Sequence, residues 1–195
     1  SVGWRHSAYY HPDWPNEQER RRLLRPQVTE SVQEIPSSSV LQTMFALDYD
    51  DKFPRLLNSC GSRTFLSDRK RRMGRLFFPT CPDYSAAVAT LTGAERITFI
   101  DEPLIVCGLA GASNGSYGFA NSNAIQTFMG EFSDLKKVWR IPLSSPTAYN
   151  QISVTLLGLK DVLTQELASY LLPVDKLFVR DHEQLKVMEY RGADV

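Results

Sequence analysis

Apolar positions fall along the chain in short blocks separated by prolines and polar clusters. Val40, Leu41, Met44 and Phe45, preceded by Ser38-Ser39, have the spacing of a helix with one buried face, ending near Asp48-Tyr49-Asp50-Asp51. A second helix is predicted over residues 64–73, closed by Gly74. A third begins at Pro82-Asp83-Tyr84, with Asp83 at or near its N-cap. Ala86, Ala87, Val88, Leu91 and Ala94 supply its inner face. Residues 96–107 carry Ile97, Phe99, Leu104, Ile105 and Val106 and predict a strand, kinked at Pro103. Ile152, Leu156, Leu159, Leu163, Leu167 and Tyr170 predict one long helix over residues 147–172, stopped by Pro173.

Between these blocks the pattern is weaker. Residues 1–8 predict a strand edge running into an aromatic, proline-rich loop at residues 9–15. Asn16 with Glu19 suggests a cap for a short helix over residues 19–24, ended by Pro26. Residues 27–37 predict a polar connector, and residues 58–63 a turn. Residues 108–118 predict a Gly/Ala/Ser/Asn loop. Helix pieces are expected at residues 123–128, 133–138 and 182–190.

Composition narrows the class. The 195 residues are 43% hydrophobic and 23% charged, an ordinary globular balance. Lysine plus arginine and aspartate plus glutamate number 22 each, so overall charge gives no argument for a nucleic-acid or membrane partner. No apolar run is long enough to span a bilayer. Three separated cysteines, Cys60, Cys81 and Cys107, fit reduced thiols in a cytoplasmic protein and lack zinc-type pairing.

Candidate chemistry concentrates around Asp83. A carboxylate at a helix N-terminus is stabilised as the anion and can accept a proton from a hydroxyl; taken alone, the same residue is also an ordinary helix cap. Ser113, Asn114 and Gly115 lie in a loop able to cradle an anion or a sugar, or to serve as a plain surface turn. Asp48 and Asp50 could hold a hard divalent cation, or mark an acidic helix exit. Tyr10 and Trp14 could stack on a sugar or plug their loop onto the core. The run Arg69-Lys70-Arg71-Arg72 reads first as a solvated helix face.

The order of these features resembles the C-terminal, acceptor-side half of family-2 inverting glycosyltransferases with the GT-A fold, in a bacterial subset. The resemblance is carried by the aromatic-proline loop, the basic helix, Gly74-Arg75-Leu76-Phe77-Phe78-Pro79, Pro82-Asp83-Tyr84, Glu102-Pro103-Leu104 and the glycine-bounded loop over residues 108–118. It is strongest over residues 66–118. It implies an α/β fold: part of a mixed sheet with flanking helices and a long C-terminal helix. Residues 1–130 would be the acceptor-side part and residues 131–195 a mostly helical extension. It also implies transfer of a sugar from a nucleotide-sugar to an acceptor hydroxyl with inversion. Asp83 would be the catalytic base, and Tyr10, Trp14, Pro82, Tyr84, Ser113, Asn114 and Gly115 would lie toward the substrates. A divalent cation, Mn²⁺ or Mg²⁺, is expected, with its main ligands in a donor-binding half preceding Ser1, which would make this chain a fragment that is inactive alone. The position of Asp48 and Asp50 after the aromatic loop argues against them as those ligands. No nucleic-acid partner is expected, and a sheet edge left open by a missing half would favour self-association. The competing expectation is a non-catalytic binding module using the basic helix and the aromatic loop.

Overall fold

A computed structural model describes residues 1–110 and 145–190, apart from Pro15, Tyr49, Asp51, Pro79 and Pro146. The expected loop with Ser113, Asn114 and Gly115, and the helix pieces at residues 123–128 and 133–138, lie outside the described residues. The fold is mixed α/β. Its sheet runs β2 (Leu23–Leu24), β1 (Val2–Tyr10), β5 (Arg96–Leu109), β3 (Val32–Pro36), and β4 (Ser59–Cys60) also pairs with β1. β1 and β5 are parallel; every other pairing is antiparallel. The crossover between the parallel strands carries α1 (Ser37–Phe45), α2 (Arg63–Met73) and α3 (Pro82–Gly93). Among the described residues two more helices, α4 (Ala148–Val162) and α5 (Val174–Tyr190), follow.

The expected apolar face of α1 is buried as read, at Val40, Leu41, Met44 and Phe45. Ser62 caps α2 by accepting from the Phe65 amide at 3.2 Å, and Gly74 closes that helix at φ +78°. α3 is the central helix. Every residue from Tyr84 to Leu91 is buried, because α1, α2 and α4 pack around it. One apolar cluster joins Val40, Phe45, Ala87, Val88, Ile97, Leu156, Leu159 and Leu167.

Five local expectations are corrected. The strand edge at residues 1–8 is an interior strand, bonded to β5 on one side and to β2 and β4 on the other. Its parallel partner lies far downstream, with Val2 opposite Thr98, beyond the reach of a local pattern. Residues 19–24 form no helix. Arg21 takes φ 60°, and the Arg21 amide donates to the Tyr10 carbonyl at 2.8 Å, drawing this stretch onto β1 as β2. The connector at residues 27–37 contains β3, recruited by β5 despite its exposed, polar pattern. The long helix predicted over residues 147–172 ends at Val162. Residues 164–169 then turn, although Leu163 and Leu167 stay buried on the same core. α5 starts at Val174, well before the expected residue 182, and α4 packs on α3 and α5.

β5 kinks where Pro103 predicts. Its register against β1 shifts between Trp4 and Arg5 and again between Arg5 and His6. Asp101, buried at this bulge, pairs with Arg5 and accepts from the Thr29 amide at 2.9 Å. The Asp101 amide donates to the Ser31 carbonyl at 2.8 Å, so the bulge also fastens the loop ahead of β3.

Candidate functional site

Asp83 stands at the second position of α3. Cys81 is the N-cap and Pro82 the first helical residue, where its missing N–H costs nothing. The helix start is fixed from both sides. The fully buried Ser85 hydroxyl accepts from the Phe78 amide at 2.8 Å and donates within reach of the Pro82 carbonyl, at 2.7 Å. From α4, the Thr155 hydroxyl accepts the Cys81 amide at 3.1 Å, and the Thr80 hydroxyl donates to the Gln151 carbonyl at 2.9 Å. The N-terminus of α3 is thereby tied to the side of α4.

The Asp83 side chain is 25% exposed and faces Arg55, with Nη1 to Oδ2 at 3.8 Å. Arg55 lies on the segment after α1. Its amide donates to the Phe53 carbonyl at 2.9 Å, and the neighbouring Leu56 takes φ 60° with its amide on the Ser59 hydroxyl at 2.8 Å. Asn58 fastens this segment to β1: its carbonyl accepts from the Trp4 amide at 2.9 Å and its side-chain amide donates to the Trp4 carbonyl at 3.0 Å. The Arg55 guanidinium carbon lies 5.8 Å from the centroid of the Tyr84 ring, which meets Phe53 edge-on at 6.1 Å. The buried Arg55 Nε has no acceptor among the described residues, a shortfall that typically costs about 1–3 kcal/mol.

Burial raises the Asp83 carboxyl above the ordinary carboxylate range; the Arg55 charge and the amides of Asp83 and Tyr84 oppose that rise. Burial also pushes the Cys81 thiol up to about 12 and the Tyr84 phenol above its usual range. Both are therefore neutral near pH 7, and Cys81 is no nucleophile. The arrangement can hold one carboxylate, in contact with solvent, with its proton affinity drawn toward neutrality.

The other expected residues lie elsewhere. Tyr10 ends β1 and meets Trp14 edge-on at 5.1 Å. Trp14 is buried, its Nε1 donating to Glu19 at 2.8 Å, which makes it a plug for its loop. Tyr10 stands six residues along β1 from Trp4, the strand position to which the Arg55 segment is bonded; that is about 20 Å of strand. Pro82 is exposed, whereas Tyr84 is in the core with its ring between Phe53 and Arg55. Asp48 pairs with Lys176 at 2.7 Å and lies 3.7 Å from Arg180; Asp50 pairs with Lys52 at 3.7 Å. Carboxylates already neutralised by cations do not fit a divalent metal, and no group of three His, Cys, Asp or Glu among the described residues could hold one.

The basic run is mostly engaged. Arg69 is buried and donates to the Ala89 carbonyl at 2.8 Å and the Thr92 hydroxyl at 2.7 Å, Arg71 pairs with Asp68, and Arg72 pairs with Glu166. The solvated-face expectation therefore fails for Arg69, which crosses onto the last turn of α3. The residue that sequence reading missed is Arg55. Its only sequence signal is a lone cation after Pro54, and its link to Asp83 spans 28 positions. Among the described residues no helix is long and apolar enough to cross a membrane. No family model, curated protein or solved structure matches the chain.

Proposed function

We propose that this chain is the acceptor-side part of a nucleotide-sugar-dependent, inverting glycosyltransferase, and that Asp83 is its general base. The observation that carries the reading is the setting of Asp83: a quarter-exposed carboxylate, raised by burial, on a helix start braced by α4 and flanked by neutral groups and one arginine. The ordered motif series over residues 66–118 adds the reaction class. A base raised from the usual carboxylate range toward neutral pH suits the deprotonation of a sugar hydroxyl.

In the step proposed, the acceptor O–H donates its proton to the Asp83 carboxylate as the acceptor oxygen attacks the anomeric carbon. The bond from that carbon to the nucleoside diphosphate breaks on the opposite face, and the diphosphate leaves with the electron pair. Inversion follows from the single in-line displacement. The part proposed for the described residues is to orient the acceptor and take its proton. The charge on the leaving group would be met by residues outside those described.

The test is a transfer assay on the full natural protein carrying this chain, with nucleotide-sugars, a mixed acceptor panel and Mn²⁺, reading release of nucleoside diphosphate. Release that requires an acceptor is expected. A protein that neither binds nor consumes any nucleotide-sugar would overturn the reading.

A further inference from the structure

Asp83 and Tyr84 are consecutive on α3, and a single arginine serves both. The Arg55 guanidinium lies 3.8 Å from the Asp83 carboxylate and 5.8 Å from the Tyr84 ring centroid. The first separation is an ion pair without a hydrogen bond, and it leaves the carboxylate oxygens open to a hydroxyl donor. Arg55 is itself held by a segment bonded to β1 through Asn58, on one side, and by a ring wedged against Phe53 on the other. Its buried Nε has no acceptor among the described residues.

We infer that Arg55 is a positioning residue for Asp83: set over the Tyr84 ring, it aims the carboxylate at the acceptor hydroxyl and balances its charge without hydrogen-bonding to its oxygens. This inference rests on the reading of Asp83 as the base. The groups acting on the carboxylate are the Arg55 charge, the amides of Asp83 and Tyr84, and the Cys81 thiol and Tyr84 phenol, both neutral. From α4, the Thr155 hydroxyl faces Cys81 rather than the carboxylate. Without the guanidinium, burial acts with only the amides against it, and the proton would be held more tightly.

The experiment uses Arg55→Met, Arg55→Gln and Arg55→Lys in the full natural protein. The Asp83 carboxyl is followed by carbon-13 NMR titration, assigned with Asp83→Asn, beside the pH profile of nucleoside diphosphate release. Met and Gln are expected to raise the Asp83 midpoint by about one pH unit, and to move the acid limb of the rate profile with it. Lys is expected to restore most of the midpoint but less of the rate, because an ammonium keeps the charge and loses the fixed fork of the guanidinium. Should Arg55→Met fail to fold, Arg55→Gln gives the same reading. A folded neutral variant with an unmoved midpoint overturns the inference. A moved midpoint in a protein that consumes no nucleotide-sugar upholds the grip of Arg55 on Asp83 and overturns the catalytic reading alone.

Discussion

The properties of Asp83 come from its neighbours. A Pro-Asp-Tyr alone describes a helix start, and that much was readable from the pattern. The raised proton affinity was not, because it comes from burial in the packed fold, opposed by the charge of an arginine far away in sequence. The sign of the pH effect follows. Asp83 has its folded value above its unfolded one, so its contribution to stability is present below the unfolded value and is lost as pH rises through the folded value. Activity moves the other way, since the base must be ionised. Transfer is expected to rise with pH along an acid limb that sits above the ordinary carboxylate range, and Asp83→Asn should abolish that limb. Thr155 is the support to test. Thr155→Val leaves the buried Cys81 amide without its acceptor and should cost about 1–3 kcal/mol, seen as a lower urea midpoint with an unchanged m value.

At the level of elements, strong periodicity translated well and weak periodicity did not. α1, α2, α3 and β5 stand where their apolar spacing placed them, but the expected Ser38-Ser39 cap lies inside α1, which starts at Ser37 behind Pro36, and Cys81 rather than Asp83 is the N-cap of α3. β2 and β3 were missed because β2 is two exposed leucines and β3 is largely exposed with no clean alternation, and only the strands beside them make them strands. Gly93 shows the limit of local propensity. By sequence it only weakens the end of α3. In space a Cβ there would stand 2.5 Å from the Arg69 Cδ and 3.0 Å from the Phe65 ring, so Gly93 makes room for the arginine that crosses onto that turn. Gly93→Ala is therefore expected to destabilise by about 1–3 kcal/mol through overpacking, despite alanine's better helix propensity. In an Arg69→Ala background the same change should cost much less, which a double-mutant cycle by denaturant unfolding would read directly.

For the whole molecule, the α/β class and its mixed sheet were legible, while the sheet order was not, since parallel pairing of β1 with β5 is a long-range event. The sheet is locked at the β5 bulge, where Thr29 and Arg5 hold the Asp101 carboxyl down to about 2. Its folded value is depressed, so the stability it contributes is present above the ordinary aspartate value of 3.8 and is lost as pH falls toward 2. Acid unfolding should therefore steepen across that window, and Asp101→Asn should flatten it. The proposed site was legible in part: Asp83 by its place at a helix start, its arginine partner not at all, and the aromatic pair only as an element of the loop. The central claim is that this molecule moves a sugar with Asp83 as base. The most direct measurement pairs calorimetric nucleotide-sugar binding with acceptor-dependent diphosphate release, in the full natural protein and in Asp83→Asn. The account predicts equal donor affinity in the two and a loss of release of about 10²–10⁴-fold in the variant. Release that survives the substitution unchanged would contradict it.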